Sequence, residues 1–157
     1  MKKLLLLFAL FFSFSACANA QSQQETTDWI NAKLPPVVNA QYYRPLITSG
    51  GRLLVLHLIE QNTGRDLGAY DVVSFFSVTS ISLMPCDMDG SHHAFCLSFS
   101  GQTGGIMGCS DEHHCRVSNT FVLSLETNDA ALATSLLKAM QHLVTLAGGK
   151  LVNDNLF

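Results

Sequence analysis

Between Ala40 and Thr127 the chain is written in short segments that favour the extended backbone over the helix. AQYYRPLI, RLLVLHLIE, AYDVVSFF, SVTSISLM, HHAFCLSFS, GIMGCS and RVSNTFVLSLE are rich in Val, Ile, Leu, Phe, Tyr and Thr. Branched and aromatic side chains of this kind suit a pleated, half-buried surface. The turn sequences TSGG, QNTGRDLG and GQTG separate several of them, with glycine where a tight reversal needs a positive φ. About seven antiparallel strands at this spacing predict a β-sandwich or a partly open barrel.

Two helical segments bracket the strands. In TTDWINAKLPP, Thr26 or Thr27 can cap a short helix, Trp29, Ile30, Lys33 and Leu34 share one face, and Pro35-Pro36 ends it. Trp29 then serves as the hydrophobic anchor of that helix. NDAALATSLLKAMQHLVTLAGGK predicts a second helix over 129–147, capped by Asn128 and stopped at Gly148-Gly149. Leu132, Leu136, Met140, Leu143, Val144 and Ala147 recur every three or four positions, a stripe that would close one end of the β structure. The fold class is therefore mainly β with helices (α+β). A short N-terminal helix opens it and a C-terminal amphipathic helix caps it, in a single domain over 26–150 with a tail at 151–157.

The first twenty residues, MKKLLLLFALFFSFSACANA, have the form of an export signal: Lys2-Lys3, an apolar run, then the small-x-small site Ala18-Asn19-Ala20. The apolar run is about eleven residues, against the ~20 needed to span a bilayer as a helix. Ser15-Ala16-Cys17 offers a second processing route, lipidation at Cys17 and an outer-membrane lipoprotein, but Phe14 stands where such sites usually carry Leu. Simple secretion or periplasmic release is the favoured outcome, with residues 21–25 as a polar leader. Removing the signal and its two lysines takes the formal net charge from −3 to −5. An acidic chain with no Lys/Arg cluster is a poor match for nucleic acid or an anionic membrane surface.

Four of the five cysteines and four of the six histidines lie in CDMDGSHHAFC (Cys86–Cys96) and CSDEHHC (Cys109–Cys115). In an oxidising compartment four cysteines predict two disulfides. If HHAFCLSFS and GIMGCSDEHH form a hairpin about Gln102-Thr103, Cys96 faces Cys109 and Cys86 can join Cys115 as an outer staple. The competing connectivity, Cys86 to Cys96 and Cys109 to Cys115, ties each loop to itself, and a bulge would favour it.

The same hairpin sets His92 against His113 and His93 against Glu112, with His114 and Asp111 beside them. That grouping could hold zinc or copper. No C-x-x-C, H-E-x-x-H or EF-hand loop is present, however, and no standard zinc spacing occurs. Catalytic signatures are absent as well. There is no G-x-S-x-G and no paired-carboxylate spacing, and oxidation would remove any cysteine thiolate as a nucleophile. His57, within LLVLHLI, falls on the solvent side of its strand.

Strands followed by one long amphipathic helix resemble the layout of pleckstrin-homology-like domains. TDWINAKL and LLKAMQHLVTLAGGK resemble segments of small exported bacterial proteins. The resemblance implies binding of a peptide, protein or lipid head group rather than catalysis, although TSGGR lacks the basic cluster of phosphoinositide binders. The sequence thus points to an exported, non-catalytic binding protein whose partner is a protein, peptide or other envelope component. Divalent metal binding at His92 and His113 is the alternative.

Overall fold

The computed structural model describes residues 23–34, 37–39, 41–48, 50–60, 62–88, 91–102, 104–109, 114–125 and 127–152, with the backbone alone for 37–43 and 87–94. The expected export signal, with Cys17 and Ala20, lies outside these residues. The described elements are α1 (23–33), nine strands and α2 (Ala130–Leu146). β1 (Val37–Asn39), β2 (Gln41–Ile47), β3 (Leu53–Ile59), β4 (Asp66–Ser74), β7 (Ile106–Cys109) and β8 (Cys115–Ser118) form one antiparallel sheet in the order β1-β2-β3-β4-β7-β8. β5 (Val78–Met88), β6 (Ser91–Gly101) and β9 (Thr120–Leu125) form a second, in the order β5-β6-β9. The expected mainly-β fold with two flanking helices is present, as two sheets that do not close into a barrel.

The local chemistry explains most boundaries. The β2–β3 turn uses Gly50 and Gly51 at φ 87° and 57°, and the β3–β4 turn uses Gly64 at φ 65°. β3 alternates as read from its sequence: Leu54 and Leu56 are buried while His57 is half-exposed. Pro85 does not end β5. It sits at a register shift between Met84 and Cys86 on a strand at the sheet edge, where a missing N–H is tolerated. RVSNTFVLSLE is two strands rather than one, because the chain changes sheets at Asn119. Ser118 Oγ accepts from Thr120 N and donates to Thr120 O across that corner.

α2 and its cap start one residue later than expected. Asp129, not Asn128, accepts from the N–H groups of Ala131 and Leu132. Gly148, at φ 86°, follows the C-cap. The apolar stripe is buried at Ala133, Leu136, Met140, Leu143 and Val144, against β5, β6 and the 3₁₀ turn Phe75–Ser77. These side chains join Leu54, Leu56, Val73 and Ile106 of the six-stranded sheet and Ile81, Leu97, Phe99, Leu123 and Leu125 of the three-stranded sheet in one core.

α1 is already helical at residue 23, so neither Thr26 nor Thr27 is its cap, and part of the expected leader is helical. Thr27 is buried against Gly51, where a Cβ would come within 2.9 Å of its hydroxyl. The anchor of α1 is Ile30, fully buried, with Leu34 behind it, while Trp29 is 39% exposed. Asn31 adds a polar tie: its amide donates to Ile47 O at 3.0 Å and its oxygen accepts from Ile47 N at 2.7 Å. One side chain thereby satisfies both main-chain groups of a strand end.

The largest departure from expectation is at GQTGG. β6 and β7 are not a hairpin; they belong to different sheets. The glycines let the crossover approach the 3₁₀ turn. Gln102 N donates to Ser77 O, Ser74 N donates to Gly105 O, and a Cβ on Gly101 would lie 2.8 Å from Ser77 O. A Cβ on Gly105 would collide with the Ser77 side chain. Overpacking of this kind costs about 1–3 kcal/mol. Gly101→Ala should therefore lower the thermal midpoint by several degrees, since its obstacle is backbone. Gly104→Ala, where a Cβ meets nothing, should cost only the strain of φ 92°. Thermal melts of the two variants check this order.

Candidate functional site

The cysteines are settled by the sheet switch. Because β6 pairs with β5 and β9 while β7 pairs with β4 and β8, Cys96 and Cys109 are not cross-strand neighbours. The disulfides are Cys86–Cys96 and Cys109–Cys115, with Cα separations of 5.2 and 4.1 Å. The nested pairing expected from the hairpin is thus replaced by two local staples. Cys109 and Cys115 are directly opposed in β7–β8, near the ~4.5 Å Cα spacing of a non-hydrogen-bonded pair. Cys86 reaches Cys96 beside the register shift at Pro85, and its sulfur lies 3.5 Å from the buried Ser124 hydroxyl.

The histidine pairing changes with it. His92 lies opposite Asp87 and His93 opposite Cys86 in the β5–β6 register, so His92 does not face His113 across a hairpin. Asp111, Glu112 and His113 lie outside the described residues. His114 is exposed and engaged in a contact of its own. Among the described residues no three His, Cys, Asp or Glu side chains group closely enough to hold a metal ion.

Two polar features lie on the six-stranded sheet. His57 is on the outer face, where its Nδ1–H donates to Asp66 Oδ2 at 3.0 Å and its ring lies 6.4 Å from Tyr70. The pair joins β3 to the start of β4 across the register shift in that hairpin. Asp71 shares the inward side of β4 with Val73, opposite Leu56 on one flank and Gly108 on the other. The glycine makes its position feasible: a Cβ at 108 would lie 2.5 Å from Asp71 Oδ1. Asp71 has no hydrogen bond or ion pair among the described residues, and burial pushes its carboxyl above the ordinary value. In sequence, Asp71 is one polar letter in AYDVVSFF; only the strand's phase against a buried sheet reveals it.

The third feature is a groove between the helices, about 500 Å³ in volume, lined by Glu25, Thr26, Trp29, Ser135, Lys138, Ala139 and His142. α1 contributes Glu25, Thr26 and Trp29, at spacings of three and four. α2 contributes Ser135, Lys138, Ala139 and His142, again at three and four, so each wall is one helix flank. The buried stripe of α2 lies on an adjacent flank, which leaves Lys138 and His142 exposed. Ser135 Oγ donates to Ala131 O, and its lone pairs remain able to accept.

No protein-family model, curated protein or solved structure matches the chain. The arrangement of side chains is therefore the basis for assigning a role. Of the three features, the groove alone combines concavity with an exposed aromatic face, a cation and hydroxyls, which is the composition of a small-ligand site. The sequence singled out Trp29 as a helix anchor but not its meeting with His142, because the two lie on helices at opposite ends of the chain.

Two outcomes follow. Without reductant, chymotryptic cleavage at Phe99 should yield two fragments that separate, since neither staple bridges residues 96 and 109. The nested pairing would hold them together. For Asp71, the folded-state pKa is raised, so the folded protein holds this proton more tightly than the unfolded chain. Stability should then fall as pH rises from the ordinary carboxylate value through the raised one, and remain lowered above it. Asp71→Asn should remove that part of the pH dependence and raise the thermal midpoint at neutral pH, as checked by melts between pH 4 and 8.

Proposed function

We propose that this chain is an exported binding protein that works outside the cytoplasm, without catalysis, and takes its ligand in the α1–α2 groove around Trp29. Export is supported by the form of residues 1–20 and by four cysteines paired as two disulfides, the usual state of thiols in an oxidising compartment. Among the described residues no helix is long and apolar enough to cross a membrane. The resemblance of the strand-then-helix sequence pattern to pleckstrin-homology-like domains is in keeping with binding as the role.

The observation that carries the proposal is the placement of Trp29. An indole is costly to leave in water, and Ile30 and Leu34 already anchor α1 in the core. Trp29 instead lines an open groove beside Lys138 and His142. Aromatic side chains held at such a rim present a large, rigid apolar face at low entropic cost. The staples stabilise the fold that holds the groove: closing loops of six and ten residues constrains the unfolded chain by about 2–3 kcal/mol each.

Trp29 is the sole tryptophan of the chain, so its fluorescence reports the groove directly. Titrating the mature, oxidised protein with the dialysable fraction of an envelope hydrolysate should shift Trp29 emission saturably. Calorimetry on Trp29→Ala should show binding weakened at least tenfold, with a thermal midpoint close to that of the parent. Emission that stays constant across all fractions would overturn the proposal.

A further inference from the structure

We infer that Cys109–Cys115 is a thiol-exchange site, opened at Cys115 by a protein dithiol, and that opening it detaches β8 from the sheet. The inference is independent of the groove. The two disulfides share a chemistry but not an environment. Cys86 and Cys96 are both buried. Cys96 lies in the middle strand of its sheet, between Met84 of β5 and Ser124 of β9. Cys86 Sγ rests 3.5 Å from the Ser124 hydroxyl. Cys109 is buried as well, so of the four paired cysteines Cys115 alone is exposed.

Exchange needs a thiolate to reach one sulfur from the side opposite its partner. Cys109 and Cys115 are directly opposed, so their bond crosses from β7 to β8. β8 is the last strand of the six-stranded sheet, and nothing pairs with its far side among the described residues. The line of approach behind Cys115 therefore leaves through an open sheet edge. A low-pKa thiolate of a C-x-x-C protein is suited to this approach. Its thiolate bonds to Cys115 Sγ, and the Cys109 sulfur leaves with the electron pair and takes a proton from water. The second thiol of the partner then displaces Cys115 from the mixed disulfide. Two electrons and two protons pass to the chain, and the partner leaves as a disulfide.

The consequence follows from how little else holds β8. All four of its residues are exposed, Val117 at 61%. Its strand pairing is with β7 alone, over four positions. Among the described residues none of β8 belongs to the apolar core, whereas Ile106 of β7 does. Asn119 stays fixed, since its carbonyl accepts from Gly101 N. Reduction thus frees β8 as far as Asn119 and makes β7 the new edge of the sheet, with its main-chain groups open to another strand.

The test uses the mature, oxidised protein under native conditions, with dithiothreitol as the dithiol probe. Iodoacetamide quenches the reaction at timed intervals, and mass spectrometry maps the labelled peptides. Cys109 and Cys115 should be alkylated at least about tenfold faster than Cys86 and Cys96, because access sets the rate. Reduced glutathione, a monothiol, should be trapped on Cys115 with the alkyl group on Cys109. After this partial reduction, peptides covering β8 should exchange deuterium at least about tenfold faster, while those covering β9 keep their protection. Equal rates for the two disulfides, faster reaction of Cys86 and Cys96, or no alkylation short of unfolding would refute the inference. Glutathione on Cys109, unchanged exchange in β8, or protection lost throughout the chain would refute it equally.

Discussion

Two sheets with no hydrogen-bonded strand pair between them among the described residues are held together by one apolar core, and the rest of the molecule depends on it. Leu136, Met140, Leu143 and Val144 of α2 supply the part of that core that neither sheet can provide. Each of these side chains is fully buried, and burial of one such residue is worth about 1.5–3 kcal/mol. The amphipathic stripe is therefore spent on the protein's own interior. What remains of α2 to line the groove is the neighbouring flank, Ser135, Lys138, Ala139 and His142. The position of the groove is thus a consequence of how the core is closed.

The same closure explains the roles within α1. Its inward side is committed to Ile30 and Leu34, and Asn31 binds the end of β2 through both main-chain groups of Ile47. With the inward positions filled, Trp29 is turned toward α2. A side chain that sequence periodicity places with the anchors becomes the aromatic wall of a groove, because a helix of three turns has room for only a narrow buried stripe. Asp71 illustrates a different compromise. It keeps the strand's alternation although it is polar, and Gly108 gives it space that any other residue would occupy.

The strand segments, the glycine turns and the long amphipathic helix were legible in the sequence, since each depends on local periodicity and turn chemistry. The four paired cysteines were legible too, as a set. Their partners were not. Connectivity followed from whether the chain folds back at GQTGG or crosses to the other sheet, and both use the same glycines. The deciding contact is the approach of Gly101 and Gly105 to Ser77, some 25 residues earlier in the chain. Nothing local to either cysteine stretch encodes it.

By itself, then, the sequence determined the mainly-β class, the two helices and the oxidisable cysteine set, because these rest on interactions between residues close in the chain. Tertiary structure alone decided which cysteines pair, which face Asp71 joins, and that Trp29 meets Lys138 and His142. Those outcomes are contacts between segments far apart in sequence. They are selected by how the apolar surfaces of two sheets and two helices can be buried at once.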